Sequence, residues 1–281
     1  MIHIGISIQR RSTDVTPQKG KQNLDKWPGS RSIHPIQSAI ITSMDTLKDR
    51  VAIITGAGRG IGCATARLFA REGAHLVLFS RIASQLAEAT SEIVQAGGQA
   101  LSIVGDVSRG ADVDALFQQV MDTYGRVDIL VNCAGIVAVR PFVEMDVSTW
   151  DSVIAVNLRG TFLCCLKAFQ LMAAQQQGVI INFSSLSGVR GVEKFPGLSA
   201  YNVSKSGVAG LTEILAVEGE PYNIRVCAVS PGAVDTEMLQ QAAPHLKAGM
   251  TPDDMAEIVL FLVVDSGRKL SGTNIEIFSN R

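Results

Sequence analysis

"VAIITGAGRGIG", residues 51–62, decides the fold of this chain. A short run rich in β-branched residues, 51–55, ends at a cluster of glycines, which is typical of a strand buried in a parallel sheet. Residues 61–73 then repeat apolar side chains at helical spacing and end at Gly73, so they predict a helix. The stretch therefore predicts a buried strand, a tight turn and a helix in direct succession.

The same alternation of strand and helix continues to the end of the chain. Further strands are predicted at 75–79, 100–106, 127–132, 178–184, 223–230 and 273–278, and further helices at 83–98, 112–125, 148–176, 200–219, 235–247 and 252–265. The strands are apolar on both faces, which indicates a parallel sheet covered by helices on both sides. We therefore expect a single α/β domain over 44–281, a doubly wound parallel sheet of the Rossmann type.

The turn at 55–62, "TGAGRGIG", has the composition of a phosphate-binding loop. Glycines permit a tight turn and let a phosphate approach the backbone, and the helix that follows offers unpaired N–H groups and the positive end of its dipole. The glycine spacing is T-G-x-x-x-G-I-G rather than the G-x-G-x-x-G of the common dinucleotide fingerprint. Because the turn follows the first strand of a repeated strand–helix series, we interpret it as a dinucleotide site.

Composition excludes several classes of function. The chain has 281 residues, is 47% hydrophobic and 18% charged, and carries a formal net charge of −1, a balance that does not favour nucleic acid or an anionic membrane surface as partner. Its five cysteines are odd in number and form no C-x-x-C pair, and no Cys/His cluster has metal-ligand spacing, so we expect no metal. No run of 18 apolar residues is present. A reduced, cytoplasmic setting is expected.

Residues 1–43 differ from the rest of the chain. They lack hydrophobic periodicity and carry six basic side chains against two acidic ones, Arg10, Arg11, Lys19, Lys21, Lys26 and Arg31 against Asp14 and Asp25. We expect a basic, disordered N-terminal extension. Two alternatives remain open: an organellar transit peptide, and translation that begins at Met44.

Seven short motifs follow one another in a fixed order: "TGAGRGIG" (55–62), "GDVS" (105–108), "NCAG" (132–135), "VNLRG" (156–160), "FSSLSG" (183–188), "YNVSK" (201–205) and "SPGAVDT" (230–236). Together they resemble the short-chain dehydrogenase/reductase family, in its compact single-domain branch. The resemblance spans 44–281. Within the family, the chain most resembles 3-oxoacyl-thioester reductases and secondary-alcohol dehydrogenases. It implies hydride transfer between a nicotinamide and a carbonyl or alcohol carbon.

The catalytic residues that the resemblance implies are Asn157, Ser185, Tyr201 and Lys205. Tyr201 and Lys205 are four positions apart and share one helix face. A free tyrosine has a pKa of about 10, and a nearby cation lowers it, so we expect Lys205 to make Tyr201 a proton donor and acceptor. Ser185 would orient the substrate oxygen, with Ser184 as the alternative. Asn157 would hold a water that relays protons from Lys205; otherwise it is an asparagine that bonds backbone inside a helix.

The resemblance also implies which residues line the cofactor. Asp106 and Val107 would lie beside the adenine, although Asp106 could equally cap the next helix. Lys205 would hold the ribose hydroxyls, and Thr236 would offer a hydroxyl to the carboxamide. The full set of expected contacts is Gly56, Arg59, Gly60, Ile61, Gly62, Ser80, Arg81, Asp106, Val107, Asn132, Ala134, Gly135, Tyr201, Lys205, Pro231, Gly232, Val234 and Thr236.

The choice between the two nicotinamide cofactors is predicted from the end of the second strand. NAD-binding proteins place an acidic residue there to bond the ribose 2′-hydroxyl. Here the strand ends at Phe79, and Ser80 and Arg81 follow, with no carboxylate. A guanidinium suits a 2′-phosphate through its forked donors, and Arg59 can approach from the turn. We therefore expect NADP(H) to be preferred over NAD(H).

Some features depart from the family pattern. Cys133 and Cys227 replace asparagines, and the loop "VRGVEKFPGL" (189–198) lengthens the Ser185–Tyr201 separation, so we expect it to shape the substrate mouth. The family implies a homo-oligomer, most simply a tetramer. A catalytically silent dinucleotide-binding regulator is the alternative function. A serine hydrolase needs a base, and the only histidines are His3, His34, His75 and His245; since no G-x-S-x-G motif occurs either, this class is excluded.

Overall fold

The computed structural model describes residues 46–278, so the expected extension over 1–43 lies outside the described residues. Seven strands are present in this part: β1 Val51–Thr55, β2 His75–Ser80, β3 Gln99–Val104, β4 Ile129–Asn132, β5 Gly178–Phe183, β6 Ile224–Pro231 and β7 Asn274–Ile277. The α-helices are α1 Gly60–Arg71, α2 Ala83–Gln95, α3 Gly110–Tyr124, α4 Val147–Ile154, α5 Thr161–Gln175, α6 Ser199–Gly219, α7 Glu237–Ala242 and α8 Pro252–Val263.

The strands form one parallel sheet in the order β3-β2-β1-β4-β5-β6-β7. The chain reverses its direction of winding between β1 and β4, and the carboxyl ends of the neighbouring strands align there, with Thr55 opposite both Phe79 and Asn132. In open α/β sheets, ligands bind at this switch point. The predicted Rossmann-type doubly wound sheet is confirmed.

Two apolar cores cover the two faces of the sheet. One contains the buried side chains of α1, α2 and α8, such as Phe69, Leu86 and Val259. The other contains those of α3 and α5, such as Leu116 and Met172. Because both faces are covered, the central strands β1, β4 and β5 are buried at every position, which is why they read as continuous apolar runs rather than as alternating patterns. The outer strand β3 is partly exposed.

The helix predicted over 148–176 is a composite. α4 and α5 are joined without a break by a π-helical segment, Ala155–Gly160. By length and composition this continuous stretch, Val147–Gln175, could cross a membrane, but core helices of globular proteins pass the same test. Here it buries Cys164, Cys165 and Ala168 against the sheet. The π segment carries Asn157 and so places a polar side chain near the sheet edge.

The helix predicted over 235–247 is much shorter in the structure. Only α7, Glu237–Ala242, is helical, with Thr236 as the N-cap accepting a hydrogen bond from the N–H of Leu239. Ala243 leaves the helix at φ −155° and ψ 69° because Pro244 disfavours helical geometry in the residue before it. After this non-helical segment, Met250 forms an isolated parallel β-bridge with Val234.

Candidate active site

A cavity of about 1090 Å³ opens at the carboxyl ends of the strands. It lies over the switch point and extends across the edge of β5 and β6. Most of the residues predicted to hold cofactor or substrate line it, namely Gly56, Arg59, Gly60, Ile61, Ser80, Arg81, Asp106, Val107, Ala134, Gly135, Ser185, Tyr201, Lys205, Pro231, Gly232, Val234 and Thr236. Residues scattered over 180 positions of sequence therefore meet around one space.

The glycine-rich turn (residues 55–62) has a shape that only glycine permits. Gly56 has φ +67°, and a Cβ on it would lie 2.8 Å from the Cα of Ala134. A Cβ on Gly62 would lie 2.5 Å from the carbonyl oxygen of Gly56. The side chain of Thr55 ties the turn to the end of β4, because its Oγ1 accepts from the N–H groups of Cys133 and Ala134, both at 3.1 Å. Gly62 supports the turn from behind and does not line the cavity.

The start of α1 can hold a pyrophosphate. Arg59 is the N-cap and forms no side-chain capping bond, and the first turn carries no acidic residue. The first N–H groups of α1, and with them the positive end of the helix dipole, thus lie at the cavity. No carboxylate in the first turn of α1 competes with a phosphate for these N–H groups. The glycine cradle and this helix start fit a dinucleotide cofactor.

The two arginines expected to meet a 2′-phosphate are each ion-paired at the cavity rim. Arg81 Nη1 lies 3.6 Å from Asp106 Oδ2, and Arg59 pairs with Glu237 at the start of α7. Burial disfavours the ionised Asp106, but hydrogen bonds from Ser108 and the charge of Arg81 outweigh it and lower the pKa of Asp106. The capping interpretation of Asp106 is wrong, because α3 begins at Gly110 behind Arg109.

The α6 helix presents Tyr201 and Lys205 to the cavity on successive turns. Lys205 Nζ lies 5.7 Å from the centre of the Tyr201 ring and donates to the carbonyl oxygen of Phe183 at 2.7 Å. Ser185 lines the same cavity, and its side chain interacts with the Tyr201 hydroxyl in the direction that lowers the pKa of the tyrosine. Ser184 is turned away, because its buried Oγ donates to the carbonyl oxygen of Lys205 at 2.9 Å. The structure therefore brings Ser185, and not the alternative Ser184, to the tyrosine hydroxyl.

The electrostatics of this pair differ from the expectation. Burial raises the pKa of the Tyr201 hydroxyl, and the bond with Ser185 opposes that rise only in part. Burial also lowers the pKa of Lys205 from 10.5 to about 8. The expected lowering of the Tyr201 pKa by Lys205 is wrong for the chain by itself, since the ammonium lies over the ring and donates to a backbone carbonyl. Tyr201 is thus a protonated acid at neutral pH.

Asn157 is placed beside the pair but does not line the cavity. Its Oδ1 accepts from the N–H of Ile136 at 2.8 Å, and its Nδ2 donates to the carbonyl of Ile136 at 2.9 Å and to Ser204 Oγ at 3.1 Å. These bonds join the loop after β4 to α6, as the backbone-bonding interpretation expected. The water relay through Asn157 stays a prediction.

Asn132 lies behind the cavity rather than on its wall. It is buried in β4, and its Nδ2 donates to Asn182 Oδ1 at 2.9 Å and to Cys165 Sγ at 3.2 Å. Asn132 is therefore absent from the lining, because its side chain points to the α5 side of the sheet, and its predicted cofactor contact stays a prediction. Its neighbours Ala134 and Gly135, further along the chain, reach the lining instead.

Sequence reasoning missed several residues of the site. Glu237 was overlooked although it directly follows the predicted Thr236, and Met238 and Leu246 line the cavity without belonging to any motif, whereas Phe195 lies in the loop that was expected to shape the substrate mouth. Only the three-dimensional arrangement identifies them, because a lone apolar residue in a loop has no sequence signal of function.

Comparison with known proteins agrees with this arrangement. The sequence model of the short chain dehydrogenase family matches residues 50–247. A 3-oxoacyl-[acyl-carrier-protein] reductase of Synechocystis sp. is 36% identical over 231 residues, covering 79% of this chain and 92% of the relative. A 3beta-hydroxysteroid dehydrogenase of Eggerthella lenta is 36% identical over 245 residues, covering 82% and 93%. The crystal structure of levodione reductase superposes with a TM-score of 0.77 at 32% identity, covering 83% of this chain and 97% of that one.

The fold and the cavity define an oxidoreductase of the dinucleotide-binding class, one that uses a nicotinamide nucleotide and acts on CH–OH or C=O groups of a small molecule. This chain belongs to the short-chain dehydrogenase family, and the similarity to 3-oxoacyl reductases expected from the motifs is confirmed.

Proposed function

We propose that this chain is an NADP(H)-dependent carbonyl reductase and secondary-alcohol dehydrogenase in which Tyr201 exchanges the proton. The observation that carries the proposal is the joint position of three residues that line one cavity, Ser185, Tyr201 and Lys205, with the Lys205 ammonium 5.7 Å from the centre of the tyrosine ring. The glycine cradle that fits a dinucleotide opens on the same space.

The bound nicotinamide supplies or accepts the hydride, and the chain's own groups handle the proton. In the direction of reduction, Tyr201 donates its hydroxyl proton to the carbonyl oxygen as negative charge develops there. Ser185 donates a hydrogen bond to the same oxygen and fixes its position. Lys205 keeps positive charge near the hydroxyl below a pH of about 8, which stabilises the tyrosinate that remains. In oxidation the same tyrosine accepts the alcohol proton.

The preference for NADP(H) rests on the rim of the cavity next to β2. Ser80 and Arg81 line it, Arg59 reaches it from the turn, and Phe79 at the end of the strand is not followed by a carboxylate. The Arg59 and Arg81 side chains are 50% and 55% exposed, and their partners Glu237 and Asp106 are 59% and 22% exposed. Ion pairs that solvent reaches in this way contribute little to stability. A 2′-phosphate can therefore exchange for Asp106 or Glu237 at small cost and gain charge-assisted hydrogen bonds.

A homotetramer in the cytoplasm completes the proposal. The helices α5 and α6 carry apolar side chains that remain exposed in a single chain, among them Phe162, Leu166, Val203, Ile214 and Val217. Faces of this kind pack well in symmetric assemblies. Light scattering at micromolar concentration is expected to give four times the chain mass, and a monomer would contradict this part.

The substrate class follows from the relatives' names and from the cavity. The relatives include a reductase of 3-oxoacyl groups on acyl carrier protein and a hydroxysteroid dehydrogenase. The cavity lining here includes the apolar residues Leu186, Phe195, Met238 and Leu246, together with the charged residues Arg190 and Glu193. We propose a carbonyl or secondary alcohol attached to an apolar body.

The test is a panel of 3-oxoacyl thioesters, cyclic ketones and steroid ketones, followed by the loss of NADPH and NADH absorbance. At least one ketone with an apolar body is expected to be reduced, with higher kcat/KM for NADPH. Tight NADPH binding with no turnover of any panel member would favour the catalytically silent regulator instead.

A further inference from the structure

The segment between the Ser185 turn and α6 forms one wall of the cavity without being helix or strand. Residues 189–198, here called the strap, contribute Val192, Phe195 and Leu198 to the lining. Phe195 remains 42% exposed and makes no ring–ring contact with other aromatic side chains among the residues that the structure describes. A large apolar side chain held open to a cavity is a candidate contact for a ligand.

A lysine inside the strap holds it in place. Lys194 Nζ donates to the carbonyl oxygen of Ser187 at 2.6 Å and to that of Val189 at 2.5 Å. It forms no ion pair with a carboxylate within 46–278. A surface lysine side chain is normally free to move in water. Holding it against two carbonyl oxygens therefore costs conformational entropy. The ammonium–carbonyl bonds are charge-assisted and offset that cost.

The far end of the strap is fixed by its backbone. The carbonyl oxygen of Gly197 accepts from the N–H of Arg140 at 2.9 Å. Gly197 has φ +84°, and a Cβ on it would lie 3.0 Å from Val139 Cγ1. The strap is thus bonded to the loop after β4 through Gly197, and Lys194 bonds it to its own first residue, Val189. Phe195 directly follows this lysine.

The clamp is linked to the catalytic group through one residue. Ser187 accepts the Lys194 ammonium on its carbonyl oxygen, and its N–H donates to Ser185 Oγ at 3.1 Å. Ser185 in turn lines the cavity together with Tyr201. A change at Lys194 can therefore move both the apolar wall and the serine that orients the substrate oxygen, without touching the cofactor cradle.

We propose that Lys194 is a positioning residue for substrate: it clamps the strap so that Phe195 forms the wall against which the apolar body of the carbonyl substrate packs. The proposal rests on the proposed function and adds the device that selects among its substrates. It assigns specificity to a tethered loop rather than to the sheet or to α6.

Lys194→Met, Lys194→Arg and Phe195→Ala test this, with Lys269→Met as the control, since Lys269 is exposed and makes no hydrogen bond or ion pair with described residues. Kinetics use a bulky and a small apolar ketone at saturating NADPH. Lys194→Met is expected to raise KM for the bulky ketone about tenfold, the loss of one or two charge-assisted bonds, with an NADPH Kd within twofold of wild type. Lys194→Arg should restore most of the selectivity, and Phe195→Ala should lower the preference for the bulky ketone.

Hydrogen exchange of the amides in 186–198 gives a readout that needs no turnover. It is expected to quicken in Lys194→Met and not in Lys269→Met. Kinetics and exchange equal to the control would overturn the clamp, and so would a parallel loss of NADPH affinity in Lys194→Met and Lys194→Arg. If wild type reduces no ketone, the proposed function fails, and exchange still decides whether the clamp exists.

Discussion

The two sides of the cavity are held in shape by different means. On the cofactor side, the glycine-rich turn is fixed by its backbone: a side chain on Gly56 or Gly62 would collide with main-chain atoms. On the substrate side, the ends of the strap are buried at Val189 and Leu198. Between them, the hydrogen bonds that hold residues 190–197 come from one flexible side chain, Lys194, and from the backbone N–H of Arg140. Main-chain packing leaves the glycine-rich turn little freedom to change. A side-chain tether such as Lys194 can be replaced or moved by substitution at a small cost in stability.

The difference teaches where variation in substrate can arise. The turn serves the part of the reaction that stays the same, the binding of a dinucleotide. The strap serves the part that differs between relatives whose names mention 3-oxoacyl groups and hydroxysteroids. A tethered loop on a rigid scaffold can change its wall without disturbing the sheet beneath it.

The largest expected effect is that of a side chain on the turn. Gly56→Ala should lower stability by about 3 kcal/mol or more and abolish NADPH binding, because it combines a positive φ with a contact of 2.8 Å to the Ala134 backbone. Gly191→Ala in the strap is the matched control: its φ is +81°, but nothing lies within 4 Å of the added Cβ. It should cost only about 1 kcal/mol. Melting curves and NADPH titration measure both, and equal losses would show that φ, not backbone contact, governs the turn.

Lys205→Ala is expected to lower kcat/KM about a hundredfold and to weaken NADPH binding, because in the proposed function the ammonium acts on both the tyrosine and the ribose. Its charge also sets a pH dependence. The pKa of Lys205 falls from 10.5 to about 8 on burial, so wild-type reduction should decline as pH rises through about 8.

The same pKa shift predicts how stability depends on pH. Between about 8 and 10.5, Lys205 is protonated in the unfolded chain and neutral in the folded one, so this residue makes wild-type stability rise with pH there. Lys205→Ala should lack that rise; a variant with the same pH profile as wild type would contradict the assignment.

Arg81→Ala should have a smaller effect, confined to cofactor choice. Removal of the guanidinium is expected to lower the NADPH-over-NADH ratio of kcat/KM about tenfold while NADH turnover changes little, since the 2′-hydroxyl needs no cation. Arg71→Ala, an exposed change at the far end of α1, is the control. A wild-type enzyme that prefers NADH would refute the cofactor preference outright.

Most of the fold was predictable because its signals are local. The apolar strands, the glycines at 56–62 and the Tyr201–Lys205 spacing each act within a few residues, and the structure places them as predicted. The short α7 was missed in part because the influence of Pro244 on Ala243 outweighs the helical pattern. The placement of Asn132 behind the cavity, the pairing of Arg59 with Glu237 and the Lys194 clamp depend on contacts between distant segments. Burial also reversed the expected shift of the Tyr201 pKa, an effect that spacing along a helix does not reveal.

The most direct test of the proposed chemistry is Tyr201→Phe, which keeps the aromatic ring on the cavity wall and removes only the hydroxyl. With a ketone that wild type reduces, kcat should fall at least about a thousandfold, while the NADPH Kd, measured by fluorescence on the same preparation, should stay within about twofold. A variant that binds NADPH normally and retains most of the wild-type kcat would contradict the role of Tyr201 as the acid.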